Sequence, residues 1–132
     1  MTVHVIRNDL VFPELSFKLI GCAYEVFNEI GFGHLEKIYQ KGYAAILRKH
    51  AISFKEQVYH PIKINNEIIG KLFFDFLIED MIIVELKKDG RYSKQHIDQV
   101  NQYLKASEIK LALLINFTSK GVISKRLVNI TS

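Results

Sequence analysis

The sequence predicts a three-layer α/β sandwich, a mixed central β-sheet flanked by helices on both faces. Three observations carry this. Apolar residues recur at helical spacing over two consecutive stretches near the start of the chain. The runs "LFFDFLI" and "MIIVEL" are apolar at successive positions, as strands covered on both faces are. A helical pattern between "MIIVELK" and "LALLINF" supplies the crossover that a parallel strand pair needs.

From Pro13 to Ile30, Leu15, Leu19, Cys22, Val26 and Ile30 repeat at three and four, with Pro13 suited to a first helical turn. "GFG" at 31–33 stops that helix, and Leu35, Ile38, Gly42, Ala45 and Ile46 set the expected core face of a second one ending near His50. "ISFKEQVYHPIKI" is rich in β-formers, and Asn65-Asn66 suits a hairpin turn into "EIIGKLFFDFLI". "MIIVELK" is a further strand. Ser93 is placed to cap a helix over 93–106 with Ile97, Val100 and Leu104 inward, and "IKLALLINF" and "SKRLVNI" close the sheet. The expected order is ααββββαββ, with a helix crossing between strands near the middle.

The 132 residues suit one compact domain, and 48% hydrophobic with 24% charged residues is ordinary for a folded chain. No stretch approaches the roughly 18 apolar residues of a membrane span and no signal-peptide pattern opens the chain, so a cytoplasmic protein without membrane contact is expected. The lone Cys22 lies within a helical apolar pattern and reads as a small buried residue. A formal charge of +4 permits an anionic partner, and Lys87, Lys88, Arg91 and Lys94 cluster just after the last apolar run before the helix. "GFG" lies between two helices and follows no strand, which argues against a nucleotide-binding loop; the five histidines lack Cys partners or i,i+4 pairing, which argues against zinc.

Asp75 and Glu85 are the informative residues. A carboxylate inside an apolar strand is costly unless something pairs with it, and here two such strands carry one each. Glu85 and Lys87 are two apart and point the same way, with the Leu86 carbonyl between them. A two-residue turn at Glu79 and Asp80 would pair Asp75 with Val84 and put Glu85 on the other face; an odd-length loop pairs Asp75 with Glu85. The odd register is predicted. Two carboxylates and a carbonyl then converge as hard oxygen donors suited to Mg²⁺ or Mn²⁺, with Lys87 placed to stabilise charge or position a water. A purely structural Asp/Lys/Glu network accounts for the same three residues.

"FFDFLIEDMIIVELK" resembles the PD-(D/E)XK phosphodiesterase signature, an acid on one strand followed by E-x-K on the next. "GHLEKIY", with Gly33, Glu36 and Tyr39, is similar to the defining motif of the GxxExxY group within that superfamily. The resemblance runs from about Leu15 to Leu127; Phe27 and Phe32 stand where histidine and proline are usual. It implies a restriction-endonuclease-like sandwich and a Mg²⁺-dependent nuclease, with Mn²⁺ as substitute, that prefers DNA to RNA. It also implies metal held by Asp75, Glu85 and the Leu86 carbonyl, Lys87 assisting the nucleophilic water, and Glu36 as a further carboxylate. Gln99 and Tyr103 lie four apart on one helix face, similar to a Q-x-x-x-Y pair beside the metal centre in several nuclease branches, and His96 stands one turn before Gln99. Together with Tyr39, Lys88 and Arg91 they are expected to support the site or contact substrate. Tyr103 reads equally as a packed side chain. A non-catalytic binding module on the same fold is the alternative, and the small size makes a homodimer a reasonable expectation.

Overall fold

A computed structural model describes residues 11–129. Its elements are α1 (Pro13–Ile30), α2 (Glu36–Lys49), β1 (Phe54–Ile64), β2 (Glu67–Ile78), β3 (Ile82–Lys88), α3 (Lys94–Ser107), β4 (Leu111–Thr118) and β5 (Gly121–Val128). The strands form one sheet in sequence order, antiparallel throughout except the β3–β4 pair, which α3 joins in parallel. This is the expected α/β sandwich, with one correction: three strands precede α3, not four. Each arm of the first hairpin runs unbroken: at the register shift between Ile62 and Lys63, β2 carries the extra residue, Ile69, as a bulge within the ladder.

Two cores flank the sheet. On one face α1 and α2 bury Leu19, Val26, Tyr39, Tyr43 and Leu47 against Phe76, Val84, Leu86 and Ile115. On the other, α3 buries Val100, Tyr103 and Leu104 against Phe74, Ile83 and Leu114. The inward face of α2 differs from the expected one. Leu35 and Ile38 are exposed, and Tyr39, Tyr43 and Leu47, spaced by four, face the core instead. Both tyrosines bring their hydroxyls to carbonyls, Tyr39 to Gly31 at 2.7 Å and Tyr43 to Leu19 at 2.9 Å, so burying their rings strands no polar atom.

The loop between β2 and β3 holds three residues, Glu79 to Met81, with Glu79 and Asp80 in the left-handed region and the Met81 N–H returning to the Ile78 carbonyl at 2.8 Å. Its odd length sets the pairs Ile78 with Ile82, Leu77 with Ile83 and Phe76 with Val84. There the ladder stops, and the next facing positions are Asp75 and Glu85. β3 continues to Lys88 on β4 alone.

β2 also turns at this point. Phe74 and Phe76 are two apart, yet they enter opposite cores. Gln57, which stands across from Asp75, has a φ of 51° and drops out of the β1–β2 ladder. A flat strand would put both phenylalanines on one face, so the kink falls at Asp75.

Candidate metal and active site

Asp75 and Glu85 close the end of the β2–β3 ladder with their side chains. The Asp75 N–H donates to Glu85 Oε1 at 2.8 Å, and the Leu86 N–H donates to Asp75 Oδ2 at 2.8 Å. Each carboxylate thus takes over a backbone hydrogen bond that a neighbouring strand would have made. Asp75 Oδ1 accepts from Gln40 Nε2 at 3.1 Å. Gln40 lies four residues after Glu36 on α2, so one helix face presents both to the acids.

The two acids are 7% and 6% exposed, and that burial dominates their titration. It raises Asp75 to about 6, with the Glu36 charge adding and the bonds from Leu86 and Gln40 opposing. It raises Glu85 to about 9, with the Asp75 charge as the next cause. The pair therefore holds a proton at neutral pH unless a positive charge displaces it.

A cavity of about 320 Å³ opens beside Glu85, lined by Glu36, Glu85, Leu86, Lys87, Tyr92, Ser93 and His96. Glu36 opens α2, where an acid is favoured by the helix dipole, and its Oε2 accepts from the Lys88 N–H at 3.3 Å. Ser93 caps α3 by accepting the His96 N–H at 3.0 Å, which fixes where the histidine leaves the helix. Its Nε2 is buried without a hydrogen-bond partner, 3.6 Å from Glu85 Oε2. Burial and the Lys87 charge hold this imidazole below its ordinary pKa, so the contact is not an ion pair at neutral pH.

Lys87 lines the same cavity, but its ammonium donates to the Arg91 carbonyl at 2.5 Å and lies 5.4 Å from the Tyr92 ring centre. Tyr92 lies 5.4 Å from the His96 ring, nearly parallel to it. Its hydroxyl lies 2.9 Å from the Glu85 carbonyl and 3.1 Å from that of Ile115, tying the loop to the parallel pair. Burial raises the phenol, which stays protonated.

The sheet and helix ends thus bring together Asp75, Glu85, Leu86, Lys87, Glu36 and His96, with Lys88 joined through its backbone. Four expected residues lie elsewhere. Tyr39 is fully buried and stacks on Phe117 at 4.2 Å. Tyr103 packs in the α3 core against Phe74 at 4.6 Å and His60 at 5.0 Å. Gln99 lines a groove between α3 and the first hairpin, with His60, Lys63 and Leu72. Arg91 gives its carbonyl to Lys87, while its exposed side chain borders a second cavity beyond Tyr92. Sequence reasoning missed Gln40 and Tyr92. The i,i+4 spacing from Glu36 was a signal for Gln40; nothing in the sequence pattern distinguishes Tyr92 from any loop aromatic.

Among the described residues, no three His, Cys, Asp or Glu side chains gather at metal-ligand spacing. The donor chemistry nevertheless fits a hard dication. Two buried carboxylates repel one another within reach of a third acid, and a buried nitrogen faces Glu85 unpaired.

A family model described as the PD-(D/E)XK nuclease superfamily matches residues 13–127. Among solved structures, the crystal structure of SSO0001 is similar in fold, with a TM-score of 0.52 at 16% identity. The match covers 96% of this chain and 61% of that one, so this chain spans less than two thirds of that protein. No curated protein matches the sequence.

Proposed function

Since this chain belongs to the PD-(D/E)XK nuclease superfamily, we propose that it is a metal-dependent nuclease cutting nucleic-acid phosphodiester bonds, DNA in preference to RNA, at the Asp75–Glu85 notch. The observation that carries this reading is the pair itself: two buried acids that meet where the β2–β3 ladder ends, each hydrogen-bonded to the other strand's backbone and pushed up in pKa by burial. Asp75, Glu85 and the Leu86 carbonyl would hold Mg²⁺, or Mn²⁺ in its place, with Glu36 as a further carboxylate. A bound dication supplies Lewis acidity toward the scissile phosphate and makes a bound water more acidic.

The chain's own residues set the rest. Gln40 and the Leu86 N–H fix both oxygens of Asp75. Lys87 brings an ammonium to the cavity to offset charge that develops on the phosphate. His96, neutral and unpaired at Nε2, is placed to take or relay a proton beside Glu85. Within the superfamily we assign the chain to the GxxExxY group on Gly33, Glu36 and Tyr39, and we keep a cytoplasmic homodimer as the expected form. Light scattering that returns a strict monomer removes the dimer.

A second reading, a binding module that keeps the fold without catalysis, is favoured by one observation: Lys87 is engaged by the Arg91 carbonyl rather than by the acids. Calorimetry and thermal melts with Mn²⁺ separate the two. The nuclease reading expects Mn²⁺ to bind and to raise the melting midpoint, and expects the Asp75→Asn, Glu85→Gln double variant to lose both effects. Absence of Mn²⁺ binding to the folded wild type leaves the binding module.

A further inference from the structure

A second cavity, of about 380 Å³, lies between the 90–92 loop, the start of α3 and the β4–β5 pair. Leu114, Asn116 and Thr118 alternate along β4 and share its α3 face, while Lys125 and Ile123 stand across from Leu114 and Asn116 on β5. Ile97, Leu114 and Ile123 make the walls apolar. Thr118 and Ser124 also line it, and the buried polar side chain is Asn116, which is 8% exposed. Its Nδ2 donates to the Gly90 carbonyl, and that bond fixes which end of the amide is oxygen. Oδ1 is left buried with no hydrogen-bond partner. An acceptor stranded beside apolar walls is costly unless a donor is brought to it. Arg91 and Lys125, both exposed, border the same cavity, and Tyr92 lines both this cavity and the acidic one.

We propose that this cavity receives one unstacked nucleobase of the strand being cut, with an N–H of its pairing edge donated to Asn116 Oδ1 and its phosphate held by Arg91 and Lys125. The inference rests on the nuclease reading above and names its substrate class. A base engaged in a duplex has its pairing edge occupied, so the cavity selects single-stranded, frayed or gapped nucleic acid. All four bases carry an N–H or amino group on that edge, so it reads pairing state and not sequence. The apolar walls suit the faces of a base, and the shared Tyr92 wall places the bound nucleotide next to the acids.

The test is a metal-free titration of the full chain with deoxyadenosine monophosphate, followed by amide resonances in two-dimensional NMR. The expected result is saturable shifts at Asn116, Ile123 and Lys125, with binding weakened at least about tenfold in Ile123→Trp, whose added ring fills the cavity from an exposed strand position. Should that variant misfold, Lys125→Glu at the rim is expected to weaken binding in the same direction. Shifts that avoid the cavity, or that neither variant alters, overturn the proposal. A parallel Mn²⁺ titration, read by line broadening at Asp75 and Glu85, keeps the two readings apart. Broadening without nucleotide binding removes the base site and leaves the metal site; nucleotide binding without broadening does the reverse.

Discussion

Glu85 and Asp75 set the pH behaviour of the molecule. In an unfolded chain a glutamate titrates near 4.5, whereas folding raises Glu85 to about 9. Between those values the folded state binds the extra proton, so metal-free stability falls as pH rises. Asp75, raised from 3.8 to about 6, adds to the same trend at its lower end. Thermal melts across that range should show the midpoint dropping with pH, and Glu85→Gln should flatten the slope and stabilise the metal-free protein by about 1–3 kcal/mol on the alkaline side. A cation competes with that proton, so Mn²⁺ affinity measured by calorimetry should tighten as pH rises. Lys87→Ala should leave Mn²⁺ binding in place while lowering the cleavage rate by about 10²–10³-fold in a single-turnover assay.

Among the elements, the α1–α2 corner and the β2–β3 loop position these side chains. Gly33 has a φ of 104°, a conformation that disfavours any side chain, and the Tyr39 hydroxyl ties α2 back to the Gly31 carbonyl. Together they set where α2 begins and hence where Glu36 and Gln40 stand. Tyr39→Phe should cost about 1 kcal/mol in denaturant unfolding and weaken Mn²⁺ binding through a displaced Glu36, not through any contact of its own.

Much of this was legible in the sequence. The helical spacing, the glycine stop and the Ser93 cap are local signals, and the odd β2–β3 loop follows from requiring both acids on one point. The α2 face was misplaced because Leu35 and Ile38 outrank tyrosine in hydrophobicity, while the structure buries Tyr39 and Tyr43 on paired hydroxyls. Gln40 shares the helix face of Glu36, a signal available in the spacing, but its partner Asp75 is 35 positions away; Tyr92 acts through the Glu85 carbonyl, a contact that no periodicity encodes. The kink at Asp75 was hidden for the same reason, since alternation assumes a flat strand.

At the scale of the whole molecule, the sheet brings the ends of two helices and a strand segment paired on one side only to a single notch. α2 arrives from one face with Glu36 and Gln40, α3 from the other with Ser93 and His96, and β3 runs between them with β4 as its one partner beyond Val84. Among the described residues no helix is long and apolar enough to cross a membrane. The formal charge of +4, with Lys87 at the notch and Arg91 and Lys94 bordering the neighbouring cavity and groove, predicts nucleic-acid binding that weakens with salt. Fluorescence anisotropy of a labelled single strand should give a log-log slope of about −2 if three phosphates are neutralised.

We propose above that Asp75, Glu85 and Lys87 form a metal-dependent phosphodiesterase centre. The most direct test is cleavage of labelled single- and double-stranded DNA and RNA in Mg²⁺ or Mn²⁺, comparing wild type with Lys87→Ala and Asp75→Ala prepared identically. The expected result is metal-dependent cutting by the wild type, on DNA above RNA, that disappears in both variants. Equal cutting by all three proteins, or none by a folded wild type with metal bound, would contradict it.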